Sequence, residues 1–74
     1  MAYIVLIDVK KGPNKDSFHF ILQGYEKVLE VHKNISAFIG MEWEVDIKIF
    51  EGKLIERKIY KGGKEVRKDE EAIR

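Results

Sequence analysis

The sequence predicts an α+β domain: a small, mostly antiparallel sheet of three or four strands packed on one central helix, in the order β-α-β-β or β-β-α-β-β. Three observations predict it. Ala2 to Val9 is a β-branched, almost continuously apolar run. Phe18, Ile21, Leu22, Tyr25, Val28, Leu29, His32, Ile35 and Ile39 share one side of a helical wheel, the spacing of a helix that buries one stripe. Trp43, Val45, Ile47 and Ile49 alternate with Glu44, Asp46 and Lys48, the period of a strand with one face in water.

The first run is broken only by Asp8, which suits a central strand buried on both faces. One helix covers one face of a small sheet, so the second needs another cover. In so short a chain that cover is expected to be a second copy. Lys10 to Asp16 reads as a turn or loop around Gly12-Pro13-Asn14, because proline cannot sit inside a central strand. Asp16 or Ser17 is placed to cap a helix starting there.

Two readings compete for Ser17 to Ile39. In one, the whole stretch is helix. In the other, Ser17 to Leu22 is a strand, because Phe18, Phe20 and Leu22 also alternate, and the helix starts near Tyr25 after Gln23-Gly24. Glycine inside a helix costs about 1 kcal/mol relative to alanine, which favours a break there. Both readings keep a helix through Glu26 to Lys33 and a stop near Gly40. Phe20, Val31 and Phe38 form a second apolar stripe on the long helix. They mark either a partner surface or a seat for the C-terminal segment.

Trp43 to Tyr60 predicts a hairpin that turns at Glu51-Gly52-Lys53. Pairing Ile49 with Ile55 also pairs Val45 with Ile59, Lys48 with Glu56 and Asp46 with Lys58, so hydrophobic and charge patterns agree. Ile47 opposite Arg57 fits that register poorly and marks either a bulge or a point where the arginine reaches to the sheet edge. Gly62-Gly63 ends the strand. Residues 1–62 are expected to form the folded core of a single domain spanning 1–74, with 63–74 a charged tail or short helix.

Composition narrows the function classes. The 74 residues are 45% hydrophobic and 36% charged, with no cysteine; a folded core is expected, while disulfides and thiolate metal sites are excluded. Abundant Lys and Glu with one glutamine and two asparagines suggest a thermophile source. The apolar run at Ile4 to Ile7 is too short for a signal peptide or a membrane span. A soluble, cytoplasmic protein is therefore expected, with no cofactor and no metal.

Charge is placed unevenly. Between Lys53 and Lys68 lie seven basic residues and two acidic ones. Lys53, Arg57, Lys58, Lys61, Lys64, Arg67 and Lys68 are thus candidate nucleic-acid contacts, with Tyr60 available to stack on a base. The plainer explanation is cross-strand charge pairing on a wet surface. His19 and His32 are the only imidazoles, and no acid stands at ligand spacing from them; a metal-dependent enzyme using both is the weakest reading. Phe20, Val31, Phe38, Trp43, Phe50 and Tyr60 are candidate interface residues. Phe50 and Tyr60 are expected on the outer hairpin face beside the charges, where exposed aromatics mark contact surfaces. The sequence thus favours a small non-enzymatic interaction module that forms a homodimer, with nucleic-acid binding as the alternative.

Overall fold

The computed structural model describes residues 1–67. The fold is α+β, with one helix packed on a five-stranded antiparallel sheet. In chain order the elements are β1 (Ala2–Lys11), β2 (Asn14–Gln23), α1 (Tyr25–Phe38), β3 (Trp43–Phe50), β4 (Leu54–Lys61) and β5 (Lys64–Arg67). Across the sheet the order is β2-β1-β3-β4-β5. The β-β-α-β-β order is therefore present, with a short fifth strand in the stretch expected as a tail. Lys68 and the rest of that tail lie outside the described residues.

Tight turns set these bounds. Lys10 to Asp16 is not a loop, because β1 runs to Lys11 and pairs it with Asn14. Only Gly12 and Pro13 lie between the strands. Gly12 takes φ 60, and Pro13 follows with its fixed negative φ, as in a hairpin turn that needs glycine first. Gly62 and Gly63, at φ 59 and 77, make the other two-residue hairpin, where both central residues need positive φ.

Ser17 to Leu22 is strand, and Gly24 is the reason the helix begins after it. Gly24 takes φ 89 and ψ 140, a backbone region open almost only to glycine. Its N–H donates to Met1 O at 3.1 Å, so it closes the β1–β2 ladder and redirects the chain. Asp16 and Ser17 consequently cap nothing; the Ser17 hydroxyl donates to Asp8 Oδ1 at 2.7 Å.

The β3–β4 hairpin departs from the expected register. Phe50 faces Leu54, as the turn dictates, but a bulge follows, and Ile49 then faces Glu56. Ile55 is the extra residue. Beyond it Lys48 faces Arg57, Asp46 faces Ile59 and Val45 faces Tyr60. The Ile47–Arg57 mismatch is removed because the bulge turns Arg57 to the other face.

The core lies between α1 and the two central strands. Val5, Ile7, Val45, Ile47, Ile49, Val28 and Tyr60 form its buried cluster. Tyr3, Val9, Phe20, Leu22, Val31, Ile35, Ile39 and Trp43 pack around it, partly covered. Val28 is the helix's one fully buried residue among those described. The shortest dimension of the molecule is 18 Å, enough for a sheet and one helix layer and no more.

Replacing Gly24 with alanine should cost about 1–3 kcal/mol, since no Cβ is tolerated at that φ and ψ. Space is not the obstacle, because nothing lies within 4 Å of the added Cβ. Urea denaturation checks this; an unchanged midpoint would mean the chain turns at Gly24 without strain.

Candidate functional site

The sheet face opposite α1 is built by the alternate residues of each strand. Register places them in rows across the sheet. The first row is apolar: Ile21, Ile4, Phe50 and Leu54. The second holds His19, Leu6, Lys48 and Arg57, and the third Ser17, Asp8, Asp46, Ile59 and Val66. The fourth is mostly basic: Lys15, Lys10, Glu44, Lys61 and Lys64.

The middle of this face is held by charge. Arg57 grips Asp46 with two bonds, Nε to Oδ1 at 2.9 Å and Nη2 to Oδ2 at 2.6 Å. Lys48 Nζ lies 3.9 Å from the same carboxylate. Asp46 needs these partners because Asp8 stands directly opposite on β1, and like charges so placed repel. Between the third and fourth rows is a depression of about 230 Å³, lined by Asp8, Lys10, Lys15, Glu44, Asp46, Ile59 and Lys61. It falls below the roughly 300–1,000 Å³ of small-molecule pockets.

Among the described residues the candidate nucleic-acid contacts do not form one surface. Arg57, Lys61 and Lys64 belong to the uncovered face. Lys58 belongs to the helix face, where its Nζ sits 3.5 Å from Glu56 Oε1. Lys53 lies in the β3–β4 turn, and Arg67 stands opposite Lys58 in the backbone register. What the sequence did not reveal is the fourth row. Lys10 and Lys15, from the β1–β2 hairpin, join Lys61 and Lys64 from β4 and β5. Only the register of a non-local sheet brings these segments together.

The candidate interface residues also divide. Tyr60 is on the helix face, not beside Phe50, because the bulge reverses every position beyond it. It is 7% exposed and belongs to the core. Phe20, Val31 and Trp43 pack partly against that core, and Lys11 Nζ stands 4.9 Å over the Trp43 ring. Phe38 remains 73% exposed at the helix end. Phe50 is half-buried in the apolar row.

The histidines are separated by the sheet. His19 faces Leu6 on the uncovered side, while His32 on α1 meets Tyr60, with hydroxyl and Nε2 at 2.6 Å. Among the described residues no three acids or histidines are grouped to hold a metal ion. Burial and the Lys58 ammonium hold His32 below its ordinary 6.5, with Glu56 and Glu65 opposing. Burial, then Glu65 and Glu56, push the Tyr60 phenol up to about 12. A neutral imidazole hydrogen-bonded to an un-ionised phenol fits both shifts. It is a structural pair linking α1 to β4.

Compared with known protein families, with curated proteins and with solved structures, the chain matches none.

The His32–Tyr60 pair makes stability depend on pH. The unfolded chain takes up a proton at His32 more readily than the folded one, whose affinity is lowered. The stabilising contribution is therefore complete above pH 6.5 and is lost as pH falls through the depressed folded value. Urea midpoints measured from pH 7.5 to 5 should fall, and His32→Gln should flatten that limb. A parallel fall in the variant would assign it to other groups.

Proposed function

We propose that this protein is a small non-enzymatic interaction module that associates with itself through the apolar surface α1 leaves uncovered. One observation carries the reading. The row Ile21, Ile4, Phe50 and Leu54 crosses four strands on a face with no covering element among the described residues. Ile21 is 66% exposed and Leu54 48%. Such a contiguous apolar strip differs from the scattered exposed residues normal to a monomer. A core this small supplies only about 3–5 kcal/mol unaided, so association would add stability as well as cover. Light scattering should give a mass rising from 8.7 kDa toward twice that with concentration. A mass fixed at 8.7 kDa up to high micromolar concentration would contradict the reading.

The fourth row favours a second reading, polyanion binding. Four lysines stand against one glutamate there, and Lys10 and Lys15 make no ion pair among the described residues. Labelled nucleic acid should then bind at low salt and release as salt rises. Lys10→Glu with Lys15→Glu should weaken binding at least tenfold. Binding that ignores salt, or survives both reversals, would contradict this second reading.

A further inference from the structure

We infer that a second copy of this chain adds to the edge of the sheet at β2, the two β2 strands pairing antiparallel about a two-fold axis at His19. The inference rests on the reading of a self-associating module and adds a contact at the sheet edge, one that joins the apolar rows of two copies side by side rather than covering them.

The two sheet edges differ. β5 has four residues, Lys64, Glu65, Val66 and Arg67, and its shortness and charge are the usual protection of an edge. β2 has ten residues and pairs with β1 without interruption. It carries no bulge and no proline, and from Ser17 to Gln23 no aspartate, glutamate, lysine or arginine. An edge that long and unbroken, uncharged from Ser17 to Gln23, is a template for strand addition.

The ladder fixes which groups are on offer. Met1 O accepts from Gly24 N–H, and antiparallel neighbours alternate between bonded and non-bonded pairs. Leu22, Phe20, Phe18 and Asp16 therefore bond inward to β1. Lys15, Ser17, His19, Ile21 and Gln23 direct their N–H and C=O away from the sheet. These five alternate residues form a row of backbone donors and acceptors along the edge.

Self-complementarity selects a second copy over an unrelated strand. With His19 opposite the second copy's His19, Ser17 meets Ile21, and Lys15 meets Gln23. All five outward residues then pair outward residues. On the helix face Phe18 meets Phe20 twice, once on each side of the axis. Phe18 is 48% exposed in the single chain, and cross-strand aromatic pairs are among the stabilising ones. Lys15 and Asp16 face Gln23 and Leu22, so no carboxylate or ammonium meets its like. The product is one ten-stranded sheet, in which the apolar rows of both copies lie on the same face.

Proline at position 19 separates fold from association. The His19 N–H bonds nothing in β1, and an edge strand tolerates proline where the N–H faces outward. His19→Pro should leave the circular dichroism spectrum in place and halve the mass seen by light scattering. Cysteine at the same site gives an independent test, since the chain has no other. Bonded antiparallel neighbours lie about 5.5 Å apart at Cα, within disulfide reach. His19→Cys should therefore form a covalent dimer on mild oxidation. A wild-type dimer in which His19→Pro remains dimeric, or His19→Cys fails to cross-link, overturns the β2 contact while leaving self-association standing. A wild-type chain that stays at 8.7 kDa overturns both.

Discussion

A helix of fourteen residues is about 21 Å long and 10 Å wide. A sheet of five strands is about as wide as that helix is long, and its longest strands extend beyond 30 Å. One such helix can cover the middle of one face, and the rest of this structure follows from that mismatch. Fully buried residues concentrate on β1, β3 and the end of β4 nearest α1. Val28 seats the helix, and Tyr60 extends its contact to β4 through His32. Among the described residues nothing covers the opposite face or either edge, which leaves them to polar chemistry or to a partner. Arg57 and Asp46 are the polar solution in the middle of the uncovered face, while the row from Ile21 to Leu54 and the β2 edge have no such solution among the described residues.

The fold was legible where one period dominates. β1, β3 and the body of α1 each show a single pattern over many residues. Ser17 to Leu22 fits two periods at once, and side-chain pattern alone could not choose between them. Backbone requirements chose. Gly24 at φ 89 admits no helix through it, and Gly12-Pro13 is a turn tight enough to fold β2 back on β1. The β4 register was legible only up to the bulge at Ile55. Charge agreement favoured pairing Lys48 with Glu56 and Asp46 with Lys58, yet the bulge places Arg57, not Lys58, in reach of Asp46. That one-residue shift moved Tyr60 from an expected outer position into the core.

The surface was less legible than the fold, for a physical reason. Rows across a sheet are made of residues distant in sequence, joined by register. Lys10 and Lys15 sit in one hairpin, and Lys61 and Lys64 in another. Counting charge along the chain emphasised Lys53 to Lys68, and the structure divides Lys53, Arg57, Lys58, Lys61 and Lys64 between two faces and a turn. The apolar row likewise draws Ile4, Ile21, Phe50 and Leu54 from four strands. By contrast the β2 edge is continuous in sequence. Its apolar composition was readable, although its position at the end of the sheet was not.

Backbone amide exchange, followed residue by residue at two protein concentrations, tests the central claim most directly. In dilute solution Phe18, Phe20 and Leu22 should exchange slowly, because they bond to β1, while Ser17, His19 and Ile21 should exchange fast. At high concentration all six should be protected, as the outward groups find partners in a second copy. Outward amides that exchange at the same fast rate at both concentrations would contradict the account. They would show a β2 edge that stays in water, whatever contact the uncovered face makes.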